Sequence, residues 1–301
     1  MSEISNHDFS MERRLFQLDP ELHRRFTGAV FALQYNLSNY KLIFPEYTDH
    51  TNLHSMTVID FANQLIGDQI EKMNADQLYV FLMSCYFHDT GMGITRKDYE
   101  EFLGKIDVGN YFDNHPREDY PAVIRTFHHE FSGQFIRKYA ALFDIPTPAH
   151  EEAIIQVSRG HRKTDLTDER EYPADARVPN GNLLCLPYLA SLIRLADEID
   201  VAAARNPILL YDLEALTDEI EIIENKKVKA VRRLDVTESA FTLQVATEEA
   251  EILEQIRKMA EKMQTTLDYC RKVAESRTPF RITQEKVLLE IQNESAGGSS
   301  A

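Results

Sequence analysis

The sequence has no tryptophan, few glycines and prolines (11 of each among 301 residues), and only three cysteines. Folds built from many short strands and tight turns use more Gly and Pro than this, so such a fold is disfavoured. The cysteines, Cys85, Cys185 and Cys270, lie far apart and form no C-x-x-C pair. We therefore expect reduced thiols, as in a cytosolic protein, and not a disulfide framework.

Positive charge and long apolar runs are also scarce. The 33 Lys and Arg residues are outnumbered by 49 Asp and Glu residues, which gives a formal net charge of −16. Such a chain repels nucleic acid and anionic membrane surfaces, although a local cationic pocket could still hold a small phosphorylated substrate. The longest apolar run, around "LYVFLMSCYF", is well short of the ~20 residues that span a bilayer. The first residues show no signal-peptide pattern, so we expect a cytoplasmic protein with no membrane partner.

Residues that favour helices are abundant. Leu, Ala, Glu, Arg and Lys recur at helical spacing, which indicates a mostly α fold. Residues 1–20 are polar and predict a loose lead-in, residues 162–182 predict a loop, and Gly160 is placed as a helix C-cap. The apolar pattern predicts helices at 20–37, 51–66, 75–88, 120–143, 148–160 and 183–205, the last being the most hydrophobic.

The pattern changes after Pro207. Residues 226–236 and 239–247 alternate as strands do, and residues 248–275 predict a long amphipathic helix. A further strand is expected within 279–292. The basic run Lys226, Lys227, Lys229, Arg232 and Arg233 is interpreted as a solvated strand edge. The predicted organisation is a helical domain at 20–205, an α+β extension at 206–292 and a disordered tail at 293–301.

Four histidines and two aspartates recur at nearly even intervals. The steps from the first histidine to the second, third and fourth, and then to the final aspartate, are 34, 40, 33 and 36 residues. Each step fits one helix plus one connection, so successive helices of a bundle could each bring a ligand to one centre. An unpaired ionisable group in such apolar helices would be costly. The candidate metal ligands are His54, His88, Asp89, His128, His161 and Asp197.

The motifs around these residues resemble those of a known family. They are "TDHTNLHSMTVIDF", "FHDTGMG", "RTFHHEFSGQFI", "SRGH" and "LIRLADEID", and together they span roughly residues 45–205. They resemble the HD superfamily of metal-dependent phosphohydrolases, in particular members with a conserved C-terminal extension. The fold that this implies is mostly α, an HD-type helical bundle with a small α+β C-terminal extension.

The resemblance also implies residue roles. His54, His88, Asp89 and Asp197 would form the core site, with His88 and Asp89 catalytic and Asp89 able to bridge two ions. His128 and His161 would match the additional histidines of two-metal members. Mixed imidazole and carboxylate ligands suit Mn, Fe, Ni, Co or Zn, as one or two ions. His129 competes with His128, which we favour because the small residue Ser132 follows it by four positions.

The implied activity is hydrolysis of a phosphate ester, most simply a nucleotide or cyclic nucleotide, by metal-activated hydroxide. Candidate substrate-binding cations near the ligands are Arg96, Lys97, Arg159, Arg162 and Lys163. One alternative is a catalytically silent module that senses a nucleotide or serves as a scaffold. The extension could then bind a partner protein or a second copy of the chain. A di-iron oxygenase is a third hypothesis.

Several nearby residues admit two interpretations. Asp200 could orient a ligand, but an ion pair with Arg194 or Arg205 is favoured. Asp49 is interpreted as a helix cap and His50 as a surface residue, with a supporting role at the site as the alternative for each. The remaining histidines match no ligand position and are predicted at the surface: His7, His23, His115 and His150.

Overall fold

The structure is a computed structural model that describes residues 7–44, 51–116, 119–201 and 219–292. The predictions for Asp49, His50, Arg205 and the tail 293–301 lie outside these ranges. Within them, the mostly α fold with a small α+β extension is confirmed.

Helices make up the first part of the chain. Each helix predicted from the apolar pattern is present, most with bounds that differ by a few residues. The helix predicted at 183–205 is shorter, since it ends at Glu198, and residues 202–205 lie outside the described ranges. The helices are α1 Ser10–Leu18, α2 Pro20–Ser38, α3 Tyr40–Ile43, α4 Asn52–Ile66, α5 Ala75–Phe87, α6 Arg96–Leu103, α7 Tyr111–Asn114, α8 Tyr120–Tyr139, α9 Pro148–Arg159 and α10 Leu186–Glu198.

Helix α5 forms the centre of this bundle. Its side chains are buried from Asp76 to Phe87, and most of them are fully inaccessible. A helix that is apolar on all sides is stable only when neighbours cover every face, and here α1, α2, α4, α9 and α10 pack around it. Its start is fixed by a capping box, in which the Asn74 side chain accepts from the Gln77 amide and the Gln77 side chain accepts from the Asn74 amide.

The predicted loose lead-in is wrong over α1. Met11 and Leu15 lie four residues apart on one face of this helix and are fully buried against α2 and α5. The polar residues between them hide this short apolar stripe in the sequence. The break before α2 is local, because the Asp19 side chain accepts hydrogen bonds from the amides of Glu21 and Leu22.

The extension adds two helices and a sheet. Its elements are α11 Glu219–Ala230, β1 Val231–Val236, β2 Ala240–Val245, α12 Ala250–Arg277 and β3 Lys286–Ile291. The sheet order is β1-β2-β3, with β1 and β2 antiparallel and β2 and β3 parallel. Parallel neighbours need a long crossover, and α12 provides it.

The first predicted strand starts too early. Residues 226–230 form the last turns of α11, so Lys226, Lys227 and Lys229 lie on a helix. Asn225 and Val228, three residues apart, are buried on one face of that helix, which packs on α12. This tertiary packing overrides the alternating sequence pattern. Arg232 and Arg233 do lie exposed on β1, an edge strand.

The extension packs on the helical bundle through α12, which runs along α10. Buried α12 residues such as Ile256, Met263 and Leu267 recur at helical spacing. None of the helices within the described ranges is long and apolar enough to cross a bilayer.

Candidate metal centre

The predicted ligands come from five helices that meet in the centre of the bundle. His54 lies in the first turn of α4, and His88 and Asp89 follow the end of α5 directly. His128 lies in α8, His161 lies just after α9, and Asp197 lies in the last turn of α10. The four histidines and Asp89 are buried.

One half of the cluster surrounds Asp89 Oδ2. His54 Nε2 lies 3.5 Å and His88 Nε2 lies 3.3 Å from this oxygen, and the two nitrogens are 3.2 Å apart. Asp197 Oδ1 closes this half at 3.3 Å from His54 Nε2 and 3.9 Å from His88 Nε2. His54, His88 and Asp89 are therefore placed to share one metal ion.

The other half surrounds the second oxygen of the same carboxylate. His128 Nε2 lies 3.6 Å and His161 Nε2 lies 3.8 Å from Asp89 Oδ1, and the two nitrogens are 3.0 Å apart. Asp89, His128 and His161 thus form a second group that could hold a metal ion. Asp89 belongs to both groups.

In three of the four histidines, the outer nitrogen, Nδ1, donates a hydrogen bond that sets the tautomer of the ring. The Nδ1–H of His88 donates to the Cys85 carbonyl at 2.9 Å, and that of His128 donates to the Arg125 carbonyl at 2.9 Å. The Nδ1–H of His161 donates to the Ser158 carbonyl. Because a carbonyl only accepts, these bonds leave the Nε2 lone pair of each neutral ring directed at the cluster.

His54 is oriented differently from the other three histidines. Its Nδ1 lies 2.6 Å from Asp200 Oδ2, so a carboxylate and not a backbone carbonyl fixes the ring. A carboxylate in this position raises the basicity of the imidazole and strengthens it as a ligand.

The donor set fits a divalent transition metal. In each half, two Nε2 lone pairs face each other across about 3 Å, which is repulsive unless a cation lies between them. Burial lowers the pKa of His128 to about 4, and although Asp89 opposes this effect, the Arg162 guanidinium adds to it. The cation between the nitrogens of His128 and His161 is therefore not a proton on His128. Burial likewise holds the pKa of His161 well below its usual range, and the neighbouring His88 and His128 rings lower it further. Neutral imidazoles beside carboxylates suit such metals.

The carboxyl group of Asp197, next to the first half of the cluster, is held in its ionised form. Burial of Asp197 favours the neutral acid, but the contact of its Oδ1 with His54 Nε2 and the nearby His88 ring outweigh this effect. The pKa of Asp197 therefore lies well below the usual range of a carboxyl group, and an anionic oxygen faces the first half of the cluster.

Close backbone approach joins the two halves. A Cβ atom on Gly91 would lie 2.2 Å from the His128 carbonyl oxygen, so only glycine fits here. The Ser132 hydroxyl donates to the His88 carbonyl at 2.6 Å and accepts from the Gly91 amide at 2.9 Å. Phe127 leaves helical geometry, with φ −116° and ψ 15°, one residue before His128. These contacts fix α8 against the segment that carries His88 and Asp89.

His128, and not His129, lies among the cluster nitrogens. Nδ1 of His129 is buried without a hydrogen-bond partner, and its Nε2 lies 3.7 Å from Glu130. Burial, together with the neighbouring His128 ring and the Arg162 guanidinium, lowers its pKa to about 2. The ring is therefore neutral and outside both groups.

Two residues near the cluster take roles that the sequence interpretation did not favour. Asp200 contacts His54, as described, whereas Arg194 donates to the carbonyls of Gly160, Arg162 and Thr164 at 2.7 to 2.8 Å. Of the two ion pairs expected for Asp200, the one with Arg194 is therefore wrong, and the one with Arg205 lies outside the described residues. Arg194 fixes the segment that carries His161, a role for which the sequence offered no signal.

Gly160 is the C-cap of α9, as predicted, but its backbone conformation is not the left-handed one that favours glycine at a cap. Its φ of −61° is right-handed, so it does not provide the left-handed turn of a glycine cap. A Cβ atom there would lie 2.6 Å from the Ala190 Cβ. The glycine instead lets the end of α9 approach α10.

A cavity of about 510 Å³ opens over the cluster and reaches Asp89, His128 and Asp197. Five cations were predicted to bind substrate. Among the described residues that line the cavity, Arg162 is present and the other four are absent. Arg159 is paired with Glu130, and Arg96 pairs with Glu100 while lying over the Tyr99 and Tyr120 rings. Lys97 and Lys163 are exposed. Substrate binding by these five residues stays a prediction.

Comparison with known protein families agrees with this geometry. The sequence model of the HD-CE family matches residues 44–279, more than three quarters of the chain. The chain belongs to the HD-CE family. The match covers all six candidate ligands and most of the extension, so the HD-CE unit includes both parts of the fold. Comparison with curated proteins and with solved structures finds no match.

Proposed function

We propose that this HD-CE protein is a metal-dependent phosphohydrolase that cleaves a small phosphate ester, with a nucleotide or cyclic nucleotide as the substrate class. One observation carries the proposal. Two groups of buried imidazoles share the carboxylate of Asp89 at the base of an open cavity. A site that served only for structure would have no need of this opening.

The division of Asp89 between the two groups supports a site for two ions. Oδ2 faces His54 and His88, and Oδ1 faces His128 and His161. Bound divalent ions supply Lewis acidity toward a phosphoryl oxygen and lower the pKa of the attacking water. His88 and Asp89 hold the reacting centre from one short segment at the end of α5.

The surrounding residues prepare the site before substrate arrives. Hydrogen bonds to Cys85, Arg125 and Ser158 hold three rings in the ligating tautomer, so little reorganisation is needed on binding. In the net reaction, water adds to phosphorus, the ester P–O bond breaks and the alcohol leaves with a proton. The Arg162 guanidinium at the cavity provides positive charge for the phosphate.

The cavity volume supports a small substrate. Pockets of roughly 300–1,000 Å³ hold ligands of nucleotide size, and the volume of about 510 Å³ lies in this range. Together with the acidic net charge of the chain, this favours a free nucleotide over a polymer.

Phosphate release tests the proposal. The protein is reconstituted with Mn, Fe, Ni, Co or Zn and assayed against nucleotides, cyclic nucleotides and simple aryl phosphates. Turnover is expected with the wild type and should be lost in Asp89→Ala. The exposed Asp113 on α7 offers a matched control, and Asp113→Ala should keep full turnover. Full activity in a correctly folded Asp89→Ala protein would rule out this mechanism.

Two outcomes identify the alternatives. Saturable nucleotide binding without hydrolysis under every metal would indicate a sensor or scaffold. Activity that needs iron and oxygen, with a visible chromophore, would indicate an oxygenase, whereas a colourless Mn-loaded protein that releases phosphate excludes it.

A further inference from the structure

The extension forms part of the wall of the cavity over the metal cluster. Lys227 and Val228 of α11 line it from one side, and Gln255, Lys258 and Met259 of α12 line it as well. The opposite side is formed by helical-bundle residues next to the ligands. The cavity over the cluster is therefore lined by both parts of the chain.

Among the described residues, as many basic as acidic side chains line this cavity, but they differ in whether they form ion pairs. The acidic residues are Asp89, Asp197, Glu198, Asp200 and Glu224, and the basic residues are Arg125, Arg162, Lys227, Lys258 and Lys262. Each acidic group already has a role. Asp89 and Asp197 belong to the cluster, and Asp200 contacts His54.

The two remaining carboxylates neutralise two of the lysines. Glu198 Oε1 lies 2.8 Å from Lys262 Nζ, and Glu224 Oε1 lies 2.7 Å from Lys227 Nζ. The first pair also ties α12 to the end of α10, next to Asp197. Arg125 takes part in another interaction.

Arg162 and Lys258 are the two remaining cations of the described cavity lining. Within the described ranges, no carboxylate lies within ion-pair distance of either side chain. Arg162 follows the candidate ligand His161 directly, and Lys258 projects from α12 into the same cavity. In a chain of net charge −16, two cations without carboxylate partners beside a metal cluster favour an anionic ligand.

We infer that Arg162 and Lys258 form a phosphate clamp, with one cation from the helical bundle and one from the extension. The inference rests on the proposed function, because it assigns the binding of that substrate's phosphate. The planar Arg162 guanidinium is suited to two parallel hydrogen bonds to phosphate oxygens, and Lys258 supplies a compact charge. Met259 and Val228 give the organic part of the ester an apolar wall.

The clamp explains what the extension contributes to the site. The family match continues through α12 to residue 279, and α12 is held on the bundle by buried packing and by the Lys262–Glu198 pair. The helix that carries Lys258 is thus fixed relative to the cluster. Lys258 is exposed at the cavity, so its replacement should not disturb the core.

Binding of inorganic phosphate tests the clamp independently of catalysis. Titration calorimetry on the full Mn-loaded chain at constant ionic strength compares the wild type with Lys258→Met and Arg162→Met. Loss of one charge-assisted hydrogen bond should weaken phosphate binding about tenfold in each variant. Lys258→Arg should restore most of it. Metal content and thermal unfolding are measured alongside and should be unchanged in Lys258→Met.

Lys272 provides the matched control. It is an exposed lysine on the same helix and is not in the described cavity lining, so Lys272→Met should bind phosphate as the wild type does. Equal affinity of Lys258→Met and the wild type would overturn the clamp, as would a wild type without saturable phosphate binding. If no ester is hydrolysed and Lys258→Met still loses phosphate affinity, the proposed function fails and the clamp stands. If esters are hydrolysed and phosphate affinity does not depend on Lys258, the clamp fails and the proposed function stands.

Discussion

Two regions of this molecule place buried histidines in opposite surroundings. In the central cluster, the rings of His88, His128 and His161 donate from Nδ1 to backbone carbonyls and turn Nε2 toward one another. Near the N-terminus, His7 Nε2 lies 2.9 Å from Glu12 Oε1 and His7 Nδ1 lies 2.6 Å from Asp60 Oδ1. Both nitrogens of His7 therefore face a carboxylate.

The two environments favour different charge states. Burial alone would lower the pKa of His7, but the close Asp60 and Glu12 carboxylates raise it to about 9. His7 is thus an imidazolium that pairs with two acids and has no lone pair for a metal. Burial and the charge of Arg162 hold His128 neutral, with a pKa of about 4 despite Asp89. Burial alone therefore does not identify a ligand, because His7 has a carboxylate beside both nitrogens and His128 has a backbone carbonyl at Nδ1.

Removing one cluster ring should have the largest effect. His128→Gln deletes a nitrogen of the second group, so the chain should lose one of two bound ions and most of its phosphate release. Metal content per chain after desalting measures the first effect, and steady-state assay measures the second.

His129→Gln is the control for this change. The neighbouring ring is buried to a similar degree but lies outside both groups, so its variant should keep both ions. Loss of an ion in His129→Gln and not in His128→Gln would exchange the two assignments.

Weakening the carboxylate behind His54 should have an intermediate effect. Asp200→Asn keeps the shape of the side chain but removes the charge that orients the ring and raises its basicity. Changes of this kind cost roughly 10- to 100-fold in metal affinity, which a competition titration with a chelator measures. An unchanged affinity would show that the Asp200 contact does not tune the site.

The smallest effect is expected at His7, and it should depend on pH. An imidazolium with a raised pKa stabilises the fold fully below the unfolded value of about 6.5 and loses this contribution as pH rises through about 9. His7→Gln should therefore lower the free energy of unfolding by about 1–3 kcal/mol at pH 6. The loss should be much smaller near pH 9.5. Urea unfolding at both pH values measures the difference, and a loss that grows with pH would contradict the ion pair.

The histidine comparison also shows where sequence interpretation was limited. His7 and His150 were predicted at the surface and are buried. His150 lies between Asp76 and Thr147, with Nε2 2.8 Å from Asp76 Oδ1. Asp60 and Asp76 are distant in sequence from these histidines, and the nearby Glu12 and Thr147 form no recognisable motif with them. The sequence therefore offered no indication that the two rings are buried.

Most helices were predictable because their apolar stripes are long and regular. The short stripe of α1 and the helical end of α11 were missed, since two buried residues a turn apart give too weak a signal. The preference for His128 rested on Ser132, and the structure gives that choice a physical basis, because Ser132 joins the His88 carbonyl to the Gly91 amide.

The contribution of the extension to the cavity could not be predicted. The sequence shows α12 as an amphipathic helix, but only its packing along α10 brings Lys258 to the cluster. Asp200 was open to two interpretations for the same reason. Its contact with His54 joins residues 146 positions apart.

Metal content per chain tests the central claim most directly. The wild type and Asp89→Ala are reconstituted with Mn, Fe, Ni or Zn, desalted and measured by plasma mass spectrometry. Because Asp89 belongs to both groups, two ions per chain are expected in the wild type and none in the variant. An Asp89→Ala protein that keeps the metal content of the wild type would contradict this account, as would a wild type that holds no metal under any condition.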